Sequence, residues 1–251
     1  MIVDSFLFGW ELDMLECRLI ELNDVVDKFY LIESSVTFQG SSKPLIYKHN
    51  LDRFKEWSDK IVYIEAELPI TDNPWEREYA ARDSLKTYLQ ELSDDTIILH
   101  GDVDEIPTRE FITNLPNTLR DGEIIVLDHA FYSMAVDWKH PETITGIVVS
   151  HKKTLNNLSI SAWRRMRTTT RSVANGWHFT WLGGEEFIKL KAASFSHTET
   201  HIQEYIRQMG GKLYTDGYHV LGEKLIPVDI DNTYPEYIKT RRCPQTWLRP
   251  R

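Results

Sequence analysis

Asp102 and Asp104 stand one residue apart, directly after the apolar run Thr96-Ile97-Ile98-Leu99 and shortly before Pro107. Alternate residues of an extended chain point the same way, so both carboxylates can face one ion or ligand. Hard oxygen donors of this kind suit Mg²⁺ or Mn²⁺, which keep water and substrate phosphate oxygens in their remaining positions. Beside a nucleotide leaving group, such an ion would neutralise the diphosphate. Two acids in a loop are more commonly just solvated. What sets these two apart is their place at the end of a buried strand. Gly101 allows a close backbone approach there.

Other side chains offer chemistry on similar terms. Glu33 ends the apolar run Phe29-Tyr30-Leu31-Ile32, where a carboxylate could accept hydrogen bonds from uracil or ribose. A surface acid near a turn is the plainer account. Arg82 and Asp83 fall mid-helix, where surface pairing four residues apart would explain either. Arg82 could instead reach a phosphate or hold the acidic loop. In Gly176-Trp177-His178, Trp177 could stack on a sugar or simply fill the core. His178 could complete a metal's shell with nitrogen, and His197 is a second candidate for that role. A lone His is more often structural. Lys152, Lys153, Arg164, Arg165, Arg167 and Arg171 concentrate positive charge, either as a solvated face or as a loop bringing cations to a diphosphate.

Short apolar runs alternating with amphipathic stretches must position these residues. Strands are expected at 2–8, 29–33, 61–64, 96–99 and 123–127. Leu12, Leu15, Leu19 and Leu22 mark one face of a helix with Asp13 near its start, and a long helix is expected over 75–92. Strands separated by helices imply an α/β fold with a mostly parallel central sheet flanked by helices. Ligands of such sheets bind beyond the carboxyl ends of the strands, where Asp102 and Asp104 would lie. Further strands are expected at 145–150 and 176–181, and helices at 185–193 and 200–208. The last thirty residues carry prolines and few periodic apolar positions, and are expected to wrap the surface.

Composition narrows the partners. The chain has 251 residues, 41% of them hydrophobic, enough for a sizeable core in a single domain over 1–251. A C-terminal extension is part of it, and the motif resemblance given below implies a nucleotide-sugar half over 1–130 and an acceptor half over 131–251. A net charge of −9 argues against a nucleic-acid partner, although not against a local basic cleft. Cys17 and Cys243 lack any disulfide or zinc spacing. No apolar run reaches the length of a transmembrane segment, and the start has no signal-peptide pattern, so a cytoplasmic location is expected. Eight Trp and eleven Tyr suit either a large core or a sugar-lined cleft.

The ordered set of motifs resembles glycosyltransferase family 17. It begins with Asp4-Ser5-Phe6-Leu7-Phe8 and Glu11-Leu12-Asp13-Met14-Leu15-Glu16-Cys17-Arg18-Leu19. It continues through Asp24-Val25-Val26-Asp27, Glu33-Ser34, Thr37-Phe38, Gly40 and Lys43-Pro44-Leu45. Glu78, Arg82-Asp83, Asp102-Val103-Asp104-Glu105-Ile106-Pro107 and Gly176-Trp177-His178 complete it. The resemblance implies a nucleotide-diphospho-sugar transferase fold of the GT-A type and a metal-dependent, inverting enzyme. The donor would be a UDP-sugar, with N-acetylglucosamine the transferred group, and the acceptor a glycan hydroxyl. Residues 131–171, where acceptor contacts are expected, match poorly. An inverting displacement needs a base on the face opposite the departing UDP, hence a carboxylate other than Asp102 or Asp104. Glu185 or Glu186, in the first turn of a helix after Gly183-Gly184, is the expected base, with ordinary helix-dipole pairing as the alternative account. Asp137 is the reserve. Two other functions fit parts of the pattern. A metal-dependent phosphohydrolase would use Asp102 as nucleophile, but its motif usually follows the first strand. A non-catalytic carbohydrate-binding module would use the aromatics without nucleotide.

Overall fold

The expected first strand forms as β1 (Ile2–Leu7), and the leucine stripe after it as α1 (Leu12–Leu22). In this computed structural model, which describes residues 1–155, 158–168 and 170–250, Glu11 rather than Asp13 occupies the cap position of α1. Strands β2 (Lys28–Glu33), β3 (Ile61–Glu65) and β4 (Ile97–Asp102) follow. They pair with β1 in the parallel order β3-β2-β1-β4. The long helix expected from Trp75 is two, α2 (Pro74–Asp83) and α3 (Leu85–Leu89). Asn73 caps α2 by accepting the Trp75 N–H at 3.0 Å. At the junction the Ser84 hydroxyl donates back to the Ala81 carbonyl at 2.7 Å, a side-chain bond of the kind that bends helices.

Beyond β4 the sheet turns antiparallel. A short β5 (Glu105–Ile106) and helix α4 (Arg109–Thr118) lead into β6 (Ile124–Ser133), β7 (Trp138–Lys139) and β8 (Ile144–His151). Strand β8 pairs antiparallel with both β4 and β6. Helix α5 (Ile160–Arg165) then precedes β9 (Ser172–Thr180), which runs parallel to β6 and antiparallel to β5. Helices α6 (Gly184–Ala192), α7 (Thr200–Met209) and α8 (Lys212–Asp216), strand β10 (Ile226–Pro227) and helix α9 (Glu236–Lys239) complete the chain. The result is an α/β fold with a mixed central sheet flanked by helices.

Each face of the sheet has its own core, because successive strand residues point to opposite sides. Phe6, Phe29, Leu31 and Leu99 pack with Leu15 and Leu19 of α1 and Ile112 of α4. Val3, Ile32 and Ile98 pack on the other face with Ala81, Leu85 and Trp163 from α2, α3 and α5. A third cluster joins Met134 and Trp181 to Ile188, Ile202 and Leu213 of the last large helices. The C-terminal residues do more than wrap the surface. Tyr234, Tyr237, Ile238 and Trp247 are buried in the first core.

Candidate active site

Strand β4 carries Asp102 to its carboxyl end, and the chain after it is held from below and from the side. Arg18 of α1 is fully buried and grips both Asp4 oxygens at 2.6 and 2.7 Å. Its remaining N–H groups donate to the backbone carbonyls of Asp102 (3.1 Å), Val103 (3.3 Å) and Glu105. From the side, β9 pairs Glu105 with His178, and the Phe179 N–H donates to the Asp104 carbonyl at 2.8 Å. Gly176 makes this approach possible. Its φ is +72°, and a Cβ there would meet the Ile106 carbonyl oxygen at 2.2 Å.

Cations surround the carboxylates. Asp102 faces Arg82 at 2.8 Å and Arg164 at 3.3 Å, and Arg82 also pairs with Glu78 at 2.8 Å. Asp104 faces Lys191 of α6 at 2.9 Å, and Lys191 reaches Glu11 at 3.5 Å. Glu105 is buried against Arg164 at 2.6 Å and accepts the Asp102 N–H at 3.0 Å. Burial pushes all three acids up, but the neighbouring cations outweigh it, holding Asp102 and Asp104 well below the usual carboxylate range and lowering Glu105. Burial lowers Lys191, yet Asp104 and Glu11 raise it further, so the pair stays ionised.

These groups open onto a cleft of about 700 Å³. Arg82, Asp102, Asp104 and His178 all line it, as do Arg167, Lys191, Trp10, Trp75 and Trp181. His178 Nε2 lies 3.5 Å from Asp104 Oδ1. That is long for a hydrogen bond and near the separation of adjacent ligands on one ion, about 3 Å for bonds near 2.1 Å. The other ring nitrogen of His178 is buried and has no partner among the described residues. Asp104 and His178 therefore fit two positions of a divalent ion whose other ligands are water and phosphate. Among the described residues, no third carboxylate or imidazole gathers with them within 4.8 Å. His197 lies at the cleft rim instead, 46% exposed, bonded to Glu199 at 3.0 Å and edge-on to Trp75.

Six expected site residues sit differently. Glu33 lines the cleft, but its carboxylate already accepts from Lys43 (3.3 Å), the Tyr47 N–H (3.2 Å) and the Tyr63 hydroxyl (3.2 Å). Asp83 turns away and caps α5, accepting the Ser161 N–H at 2.7 Å and its hydroxyl at 3.0 Å. Trp177 is buried in the core beside Phe179, since strand alternation sends His178 to the cleft and Trp177 to the opposite face. Glu185 and Glu186 point outward, 49% and 88% exposed, and both pair with Lys189. Gly184, Ile188 and Ala192 form the buried stripe of α6; Glu186 lies far round the helix from it, whereas Glu185 and Lys191 flank it on opposite sides, Lys191 on the side of the cleft. Asp137 is paired with Arg249 at 3.4 Å, outside the cleft lining.

The sequence profile of glycosyltransferase family 17 matches residues 1–210. The chain belongs to glycosyltransferase family 17. Two curated relatives are named beta-1,4-mannosyl-glycoprotein 4-beta-N-acetylglucosaminyltransferase. The human one is 27% identical over 233 residues and the rat one 26%. The match takes in 77% of this chain but only 43% and 42% of theirs, so the chain spans less than half the length of these relatives. Two solved structures overlap loosely. The galactosyltransferase LgtC with donor and acceptor sugar analogs has a TM-score of 0.36 at 12% identity, covering 79% of this chain and 80% of its own. The apo-form glycosyltransferase GlyE of Streptococcus pneumoniae TIGR4 has 0.32 at 15%, covering 64% and 36%.

Several family 17 motif residues turn out to hold other site residues in place. Asp4 and Arg18, present in the opening motif, form the buried strut under the acidic loop. Glu78 holds Arg82 and accepts from the Ser196 hydroxyl at 2.5 Å. Sequence reasoning gave Glu105 no role, although it adjoins Asp104. It also left Lys191 unnoticed on a helix whose phase points it inward.

Proposed function

We propose that this chain transfers N-acetylglucosamine from a UDP-sugar to a glycan hydroxyl, with inversion and with Mn²⁺ or Mg²⁺ bound. The relatives' names supply the sugar. The observation that carries the reading is the Asp102–Asp104 segment, opening from the end of β4 onto a cleft lined by Arg82, Arg167 and Lys191. Acids and cations interleaved in this way suit a ligand that brings both phosphate charge and a counter-ion.

In this reading Asp104 and His178 hold the divalent ion, which when bound stabilises negative charge on the diphosphate. Arg82 and Lys191, preorganised by Glu78, Asp102 and Asp104, supply further positive charge to the departing UDP, and Arg167 adds to it from the cleft wall. Arg18 and Asp4 keep the loop backbone fixed while side chains above it exchange partners. Trp10, Trp75 and Trp181 offer flat apolar faces for sugar rings. The acceptor hydroxyl gives its proton to a cleft carboxylate other than Asp102 and Asp104, the C1–oxygen bond forms, and the C1–phosphate oxygen bond breaks towards UDP.

Thermal unfolding with UDP, with and without Mn²⁺, tests this reading. Saturation at a hundred times Kd adds about 2.7 kcal/mol, or roughly 5–10 °C in a chain this size. Mn²⁺ is expected to strengthen the UDP effect. If no nucleoside diphosphate raises the transition under either condition, the donor assignment fails; if EDTA leaves the UDP shift unchanged, the metal does.

A further inference from the structure

Phe131 of β6 carries three imidazoles against its ring. The centroids lie 5.3 Å away for His178, 4.8 Å for His140 and 5.2 Å for His219. His178 belongs with Asp104, but His140 and His219 have no part in the sugar-transfer reading. His140 follows β7, and His219 lies beyond α8. With Glu223 they form the one group of three among the described residues whose ligand atoms all lie within 4.8 Å of one another. All three side chains line the cleft.

The geometry points to a second divalent-ion site here, formed by His140, His219 and Glu223, that takes a first-row transition ion such as Zn²⁺ or Co²⁺. His219 Nδ1 lies 3.3 Å from Glu223 Oε2, the spacing of neighbouring ligands on one ion. A backbone N–H is directed at Nδ1 of each ring, from Glu142 to His140 at 3.1 Å and from Leu221 to His219 at 3.4 Å. Both nitrogens therefore present lone pairs. Glu142 and Leu221 are exposed, so their N–H groups turn to water when an ion takes those lone pairs.

Two imidazoles and one carboxylate select Zn²⁺, Co²⁺ or Mn²⁺ over Mg²⁺ and Ca²⁺, which prefer all-oxygen shells. Three protein ligands leave coordination positions open, as in sites that bind substrate rather than purely structural ones. Those positions face the cleft, so the further ligand is an oxygen of a bound substrate, a hydroxyl or a carboxylate. The site is separate from the aspartates and stands whether or not the sugar-transfer reading holds.

Co²⁺ titrated into the chelator-treated full chain without nucleotide tests the assignment, followed by calorimetry and by the visible absorption of the ion. One Co²⁺ per chain is expected, displaced by Zn²⁺. Glu223→Gln removes a ligand whose side chain is 42% exposed, so the fold is undisturbed, and should weaken binding by roughly 10–100-fold or more. His219→Ala should abolish the absorption band, and Asp104→Asn should leave it in place. Equal Co²⁺ affinity in Glu223→Gln, His219→Ala and the parent would overturn the site. So would loss of binding in Asp104→Asn with retention in Glu223→Gln, since the ion would then sit on the aspartates. Failure of the parent chain to bind Co²⁺ at all would overturn it too.

Discussion

Replacing Arg164 with Met is the sharpest test of how the acidic loop is held. The guanidinium donates to Glu105 at 2.6 Å and to the Gly146 carbonyl, and the two side chains are only 4% and 1% exposed. Met keeps most of the volume but leaves the Glu105 carboxylate buried beside Asp102 without its ion-pair partner. Removing one partner of a buried pair costs about 3–5 kcal/mol. The Asp102 N–H still donates to Glu105 at 3.0 Å, so the lower end applies, about 3 kcal/mol, or roughly 6–12 °C in the transition temperature. The pH dependence gives an independent check. In the parent, burial raises the Glu105 pKa but Arg164 outweighs it, leaving the net value lowered. That contribution is present above the ordinary carboxylate value, about 4.3, and is lost as pH falls through the lowered one. Without Arg164, burial and Asp102 raise the folded-state value, so the variant gains stability as pH falls from 7 towards about 4. Urea unfolding at pH 7 and pH 5 should show the gap between parent and variant narrowing in acid. A gap below about 1 kcal/mol at pH 7, or one that widens in acid, would refute the account of Arg164 as the buried counter-charge.

Asp104→Asn should cut transfer by about 10²–10³, the scale for losing one preorganised electrostatic group. It should also cost about 2 kcal/mol of stability, because Lys191 keeps Glu11 as its charged partner only at 3.5 Å, beside the Thr180 hydroxyl; near-normal turnover with unchanged response to Mn²⁺ would count against the metal pair. Glu185→Gln and Glu186→Gln should each leave turnover within twofold, measured as UDP release with acceptor, because both carboxylates face solvent. Gly176→Ala should destabilise the fold by at least about 2 kcal/mol in chemical unfolding, since a Cβ would strike the Ile106 carbonyl at a positive φ.

The elements were legible where the signal is local. The apolar runs of β1 to β3 and the leucine stripe of α1 appear within a residue or two of their expected bounds, and β4 runs three residues past its expected end, because periodic burial is written into consecutive residues. The position of Asp102 at a strand's carboxyl edge followed from the same signal. The Trp75–Leu92 stretch was less legible, since the helix that periodicity alone would continue is interrupted at Ser84, whose hydroxyl bonds back to the Ala81 carbonyl. The antiparallel turn beyond β4 left no mark in hydrophobicity, which reports burial and not strand direction.

Within the site, the decisive contacts join residues far apart in the chain. Arg164 meets Glu105 across 59 positions and Lys191 meets Asp104 across 87. No spacing rule reaches that far, so a basic stretch around Arg164 reads locally as a solvated face even though Arg164 itself is buried. Helix phase did contain one usable clue. Placing Glu185 at the start of α6 invited a catalytic role by proximity to the turn. The 184–188–192 stripe puts Glu186 far from the buried face and sets Glu185 and Lys191 on its two opposite margins, of which the Lys191 margin borders the cleft. The same reasoning separates Trp177 from His178, which strand alternation sends to opposite faces. A carboxylate buried among cations from α2, α5 and α6 can stay charged only if all of those elements dock together. The acidic segment is therefore visible in the sequence, while the counter-charges that keep it ionised follow from the topology of the folded chain.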